Sequence, residues 1–260
     1  MTVYLDYAAT APLRKEVLEC FTEHLQNLGN PSSVHSSGQM IRRALEEARE
    51  SVARSVDCNR SEVIFTAGGT ESDNLAIKGL YWERNSDGNV RPLIVTSGTE
   101  HHASIDPMEW LENHDGAEII WLPVDYQGII DFDFFEKFLE ENHKRVALVN
   151  LMWANNETGV VTDMAKVVAI AKKYDIPVHS DTIAAFGHIP VSFADSGLNT
   201  MSISAHKVGG PVGAGALIVS RSTKLVSIIH GGGQERGMRS GTMNAPVAKA
   251  FALAAELAVA

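Results

Sequence analysis

The residues best suited to covalent chemistry lie in Ser202-Ile203-Ser204-Ala205-His206-Lys207, followed by Val208-Gly209-Gly210-Pro211 and by Gly213 and Gly215. A lysine ending an apolar strand, beside hydroxyl and imidazole groups, can be held in a cleft where desolvation lowers its pKa toward nucleophilic amine chemistry. The glycines beyond it let backbone approach a bulky planar ligand closely. A lone lysine after a strand is more often a solvated surface charge, so this reading depends on its neighbours.

A second element supplies one neighbour. Thr66-Ala67-Gly68-Gly69-Thr70-Glu71-Ser72 falls where a strand gives way to a helix, and exposed N–H groups, the helix dipole and a Thr hydroxyl together make a phosphate cradle. The plainer alternative is a glycine turn capped by Thr70 or Ser72. A third is Val178-His179-Ser180-Asp181, a β-run ending in an acid that can hydrogen-bond a protonated pyridine nitrogen, or simply cap a helix.

Thr99-Glu100-His101-His102 offers an imidazole that can stack on a ring and assist proton transfer; a surface histidine pair is the plainer reading. No third ligand at a recognisable spacing accompanies the pair, so no metal site is expected. Trp153-Ala154-Asn155-Asn156-Glu157-Thr158-Gly159 brings amides after an apolar strand, suited to a turn or to hydrogen bonding a ligand. Cys20 falls in the apolar rhythm of a helix, and Cys58 lies in the polar turn Asp57-Cys58-Asn59-Arg60. Structural or incidental roles suit both, although an exposed Cys58 would have its thiol pKa lowered by Arg60.

These residues need a frame, and the chain alternates strand-like with helical segments throughout. Strand-like runs occur at residues 62–66, 93–96, 118–122, 146–151, 176–179, 200–204 and 216–219. Helical spacing marks residues 36–56, 71–82, 133–141, 164–174 and the alanine-rich 245–260. Such alternation predicts an α/β fold, a mostly parallel seven-stranded sheet with helices on both faces, whose ligands collect at the carboxyl ends of the strands.

The 260 residues carry a formal charge of −10, which lacks the basic footprint for general nucleic-acid or anionic-membrane binding. No run is apolar enough for a membrane span, and the first residues lack a secretory pattern, so a cytoplasmic setting is the expectation.

In their order along the chain these motifs resemble the pyridoxal-phosphate-dependent cysteine desulfurases of the class V aminotransferase family, of the iron-sulfur-cluster-assembly type. The match starts at Tyr4-Leu5-Asp6-Tyr7-Ala8-Ala9-Thr10 and Gly29-Asn30-Pro31-Ser32-Ser33. It continues through Gly69-Thr70-Glu71-Ser72-Asp73-Asn74, Glu100-His101, Asn155-Asn156-Glu157, Asp181 and Ser204-Ala205-His206-Lys207. Gly231-Gly232-Gly233-Gln234-Glu235-Arg236-Gly237 and Arg239-Ser240-Gly241-Thr242 complete it.

The resemblance implies a fold-type I cofactor domain in a homodimer, with Lys207 holding pyridoxal 5'-phosphate as a Schiff base and moving protons. It gives Asp181 to the pyridine nitrogen, His101 to the ring face, and Gly69, Thr70, Ser204 and His206 to the phosphate. Thr242 would reach across from the second subunit, and Asn156 would contact cofactor or substrate. The implied reaction takes L-cysteine to L-alanine and passes sulfur to an acceptor or scaffold protein.

Two departures stand out. The family usually carries a glutamine three positions after the strand-end aspartate, where this chain has Ala184. Family members also continue into a smaller domain bearing a catalytic cysteine loop and a substrate-binding arginine. The expected division is therefore an N-terminal segment over 1–15, the cofactor-binding large domain over 16–245, and over 246–260 the start of a helix leading to a missing C-terminal small domain. Alternatives are selenocysteine lysis or transamination on the same cofactor, and a non-catalytic dimerising scaffold.

Overall fold

A computed structural model describes residues 3–260. Two helices come first, α1 (Lys15–Leu25) and α2 (Ser36–Ser55). The His35 side chain accepts from Gly38 N to open α2, and Ile41, Leu45, Ala48 and Val52 form its buried stripe at helical spacing. Strands and helices then alternate: β1 (Val63–Thr66), α3 (Gly69–Arg84), β2 (Leu93–Ser97), α4 (His102–Asp115), β3 (Glu118–Leu122) and α5 (Phe132–Asn142). They are followed by β4 (Val146–Asn150), α6 (Met164–Lys172), β5 (Val178–Asp181), the short α7 (Phe193–Ser196), β6 (Thr200–Ser204), β7 (Gly215–Val219) and α8 (Ala245–Val259).

All seven strands join one sheet in the order β1-β7-β6-β5-β4-β2-β3. β6, β5, β4, β2 and β3 run parallel, and β7 pairs antiparallel with both β1 and β6. Alternate residues of a strand face opposite ways, so Val95 and Val149 enter a core built with α2, α5, α6 and α8, while Ile94 and Leu148 pack with Ile77, Leu80, Met108 and Leu111 of α3 and α4. This two-sided burial explains why the central strands read as continuous apolar runs. α8 opens with an Asn244 cap on Val247 N and presents small residues, Ala248, Ala252 and Ala255, that let it lie close against α1 and α2.

The expected boundaries shift in three places for local reasons. The strand anticipated at 176–179 runs instead over Val178–Asp181; Pro177, just ahead of it, has no N–H to give to a ladder. The helix anticipated to reach 174 stops at Lys172, and Asp175 turns the chain at φ 54°. α3 starts two residues early, because Gly68 adopts φ 154° and ψ −175°, a conformation open to glycine, and so turns strand directly into helix.

Candidate active site

The carboxyl ends of β1, β2, β4, β5 and β6 converge, and the segments leaving them line one cavity of about 480 Å³. Gly69, Thr70, His101, Asn156, Asp181, Ser204, His206 and Lys207 all line it. A groove of about 520 Å³ elsewhere, lined by Arg84, Asp87, Arg91, Lys172 and Asp175 among others, gathers none of these residues.

Lys207 ends a 3-10 turn, Ala205–Lys207, that follows β6 directly. Its ammonium donates to Ala8 O. Burial lowers its pKa, with Asp181 and Asp6 opposing the shift. Both carboxylates line the same cavity. Asp181 is buried at the end of β5, where Oδ1 accepts from Ile183 N at 2.9 Å. Burial first, and the neighbouring Asp73 second, push its carboxyl up to about 7, so a cation placed in the cavity would hold it ionised.

His101 caps α4: its Nδ1 accepts from Ala103 N at 3.0 Å, which leaves the proton on Nε2. The adjoining His102 pairs outside with Asp106 at 2.9 Å and is not in the cavity wall. Glu100, just before, is buried; Oε1 accepts from Met152 N at 2.9 Å and Oε2 from Asn150 Nδ2 at 3.1 Å. Burial raises its pKa well above the usual carboxylate range. It ties the segment carrying His101 to the end of β4.

At the start of α3 no side chain caps the helix, so the Thr70 capping alternative does not hold, and Ser72 bonds Thr66 Oγ1 and Gly68 O instead. A Cβ on Gly69 would lie 2.0 Å from Ile183 Cδ1, so a larger residue here would displace the Ile183 side chain, itself part of the wall. Ser204 also lines the cavity, and its buried hydroxyl has no partner among the described residues. His206 Nδ1 lies 3.2 Å from Thr10 Oγ1, and burial followed by the charge of Lys207 lowers its pKa. Asn155 organises the turn after β4, its Oδ1 accepting from Glu157 N and Thr158 N, while the adjacent Asn156 lines the cavity.

Thr242 stands apart from these residues. It is exposed and lines a separate cavity of about 220 Å³ beside Ala67, Gly213 and Gly215. Neither cysteine lines the main cavity. The Cys58 thiol is pushed up to about 12 by burial and by Glu62 and Asp57, which overturns the reading in which an exposed turn and Arg60 make it reactive.

Asp6, Ala8, Ala9, Met152, Ile183 and Ala184 also line the cavity, and residue types alone did not nominate them. The ordered motif beginning at Tyr4 was the one signal pointing to Asp6 and Ala8.

The site has the parts that pyridoxal phosphate requires: a lysine amine with lowered pKa, a buried carboxyl facing the same space, an uncapped helix start, and an orphaned hydroxyl for an anionic group. The volume also suits a ligand of that size.

The chain belongs to the class V aminotransferase family, whose description as Aminotransferase class-V matches residues 3–258. Members of this family use pyridoxal phosphate. Within it, the chain is 46% identical to an IscS-like cysteine desulfurase of Mycobacterium tuberculosis over 256 residues, covering 98% of this chain and 65% of that protein. It is likewise 46% identical to cysteine desulfurase IscS of Dictyoglomus turgidum, covering 99% of this chain and 64% of the relative. The chain therefore spans 64–65% of the length of these curated relatives.

Among solved structures, a NifS-like protein superposes with a TM-score of 0.93 at 35% identity, covering 100% of this chain and 70% of the other. A structure described as SspA in complex with cysteine gives 0.90 at 35% identity, covering 98% of this chain and 72% of the other. The sheet order and this likeness make the fold the α/β fold-type I architecture.

Proposed function

We propose that this chain is the cofactor-binding part of a cysteine desulfurase that converts L-cysteine to L-alanine and passes sulfur to an acceptor thiol. The observation that carries the reading is the meeting of Lys207, Asp181 and His101 with the uncapped Gly69–Thr70 turn and the orphaned Ser204 hydroxyl in one cavity. Similarity to proteins named cysteine desulfurases favours cysteine over other amino acids.

Bound in this cavity, pyridoxal phosphate supplies an electron sink for the substrate's α-carbon. Lys207 Nζ would hold the cofactor covalently and would move the proton at the substrate's α-carbon. The Asp181 carboxylate holds the proton on the pyridine nitrogen. His101 would meet the ring with its Nε2 proton free, since Nδ1 is taken by Ala103 N, and Asn156 would orient cofactor or substrate. Gly69, Thr70, Ser204 and His206 bind the phosphate by N–H and side-chain hydrogen bonds. The C–S bond of cysteine breaks, sulfur forms a persulfide on the acceptor thiol, and a proton takes its place on carbon to give alanine. Since Cys20 and Cys58 lie away from the cavity, the acceptor thiol belongs to neither.

We assign the working form to a cytoplasmic homodimer in which Thr242, exposed on its own subunit, reaches the phosphate of the second site. Exposed apolar residues support an assembly: Leu5, Leu28, Val34 and Val212 are 82%, 87%, 88% and 81% exposed. The division into a segment over 1–15, a large domain over 16–245 and the start of a linking helix over 246–260 belongs to the same reading.

The test is product analysis of the protein loaded with pyridoxal phosphate and given L-cysteine with a small thiol as acceptor. Alanine and sulfide in equal amounts are expected. Keto-acid formation would mark a transaminase, product from selenocysteine alone would mark a lyase, and no product with cofactor bound would favour the scaffold.

A further inference from the structure

β5 presents His179 and Asp181 on the same face of the sheet, because alternate strand residues share a face. Asp181 lines the cavity; His179 is wholly buried and lies outside the cavity wall. Its Nε2 is 3.2 Å from Asp73 Oδ1 on α3, and its Nδ1 is 2.9 Å from Thr200 Oγ1 on β6. Thr200 stands directly opposite His179 in the sheet, as Ser202 stands opposite Asp181.

Asp73 sits one turn into α3, the helix whose first residues, Gly69 and Thr70, line the cavity. A hydrogen-bonded line therefore runs from β6 through β5 to the helix start. Elsewhere α3 rests on the sheet through Leu75, Ile77 and Leu80, contacts that are non-directional. Ser72 ties it to β1 through Thr66 at 2.8 Å, and Asp73 ties it to β5.

Burying a carboxyl and an imidazole in an apolar layer is costly, and Asp73 Oδ2 has no partner among the described residues. Burial pushes Asp73 up to about 7 and His179 down to about 4, so the imidazole is neutral and the bond does not depend on a full ion pair. Apolar residues would pack this layer at less cost. What they would not supply is a directional bond between the helix start and the strand that carries Asp181.

We propose that Asp73 and His179 are a positioning pair that fixes the Gly69–Thr70 turn relative to Asp181, so that both ends of one ligand are met at once. The proposal rests on the pyridoxal phosphate reading given above. Its mark is a difference between the whole cofactor and its halves. Pyridoxal engages only the ring end and inorganic phosphate only the phosphate-binding end formed by the turn with Ser204 and His206, so neither senses the distance between the two ends.

The experiment measures dissociation constants of pyridoxal phosphate, pyridoxal and inorganic phosphate for wild type, Asp73→Leu and Asp73→Asn. Compared with Asp73→Asn, which removes the same charge from beside Asp181, Asp73→Leu is expected to weaken pyridoxal phosphate about tenfold or more while changing either fragment by less than about twofold. Asp73→Asn keeps both an acceptor and a donor opposite Nε2 and is expected within about threefold of wild type. Unchanged cofactor affinity in Asp73→Leu, or equal losses for all three probes, would overturn the pair. Should Asp73→Leu not fold, His179→Leu, which removes the strand end of the same bond, is read by the same two criteria. Wild-type protein that binds no pyridoxal phosphate would overturn the cofactor reading itself, whereas a binding wild type with the wrong variant pattern overturns the pair alone.

Discussion

Arg49 grips Glu235 through two parallel hydrogen bonds of 2.6 Å each, in the protein interior and 186 positions apart in the chain. The pair does more than neutralise itself. Arg49 Nη1 also donates to Val63 O, and Glu235 Oε2 accepts from Phe65 N, so the two side chains satisfy the free edge of β1 where another strand would otherwise pair. They also hold the glycine-rich segment after β7 against α2.

Breaking this pair from one side should therefore be severe. Glu235→Leu leaves the buried guanidinium without its bidentate partner, with only the more exposed Glu46 carboxylate at Nε, and is expected to cost about 3 kcal/mol. The double replacement Arg49→Met with Glu235→Leu should cost less than the single Glu235→Leu. Urea unfolding of the variants checks the ordering; a double variant less stable than Glu235→Leu would contradict it.

Asp181 carries a pH signature. Its folded carboxyl is raised to about 7 from the ordinary 3.8, so its contribution to stability is full below about pH 4 and is lost as pH rises toward and through 7. Asp181→Asn removes that loss. Without cofactor, the variant should be more stable than wild type at pH 8, by on the order of 1–3 kcal/mol, and the difference should shrink as pH falls to 4. Thermal unfolding across this range reads the trend. With cofactor added the order should reverse, because Asn holds no charge against the pyridine nitrogen.

Cys58 should be chemically quiet. A thiol at about 12 has about one thousandth of the thiolate of a free cysteine at pH 8, so alkylation by iodoacetamide should be slower by about that factor and recover on denaturation. Peptide mass analysis of the alkylated protein measures this. Labelling at the rate of a free thiol would restore the reactive reading.

Ala184 lines the cavity where relatives are expected to offer an amide. Ala184→Gln adds a donor that favours the deprotonated form of the bound chromophore, and should lower its pH midpoint by about one unit. A visible absorbance titration of the two proteins decides it; identical curves would show that the position does not touch the cofactor's phenolic oxygen.

Much of this site was legible because each part occupies a few consecutive residues at a strand end, as with Ser204-Ala205-His206-Lys207 and the turn at Gly68-Gly69. Local patterns of that kind survive in a one-dimensional reading. The Asp73–His179 bond was not legible, since polar residues normally read as surface and nothing local shows that an aspartate on α3 and a histidine on β5 meet in the interior. Arg49 and Glu235 were hidden for the same reason, compounded by their separation in sequence. α4 is absent from the helices expected from the sequence, because Pro107 interrupts its pattern and deprives the Ala103 carbonyl of its partner. The antiparallel placement of β7 depends on pairing partners, which its apolar run does not specify.

The central claim is that Lys207 holds the cofactor covalently. The most direct measurement is borohydride reduction of the protein incubated with pyridoxal phosphate, followed by peptide mass analysis, with Lys207→Ala in parallel. The expected result is a phosphopyridoxyl group on Lys207, together with a visible absorbance band that Lys207→Ala lacks. A label on another lysine, or the same band in Lys207→Ala, would contradict the account.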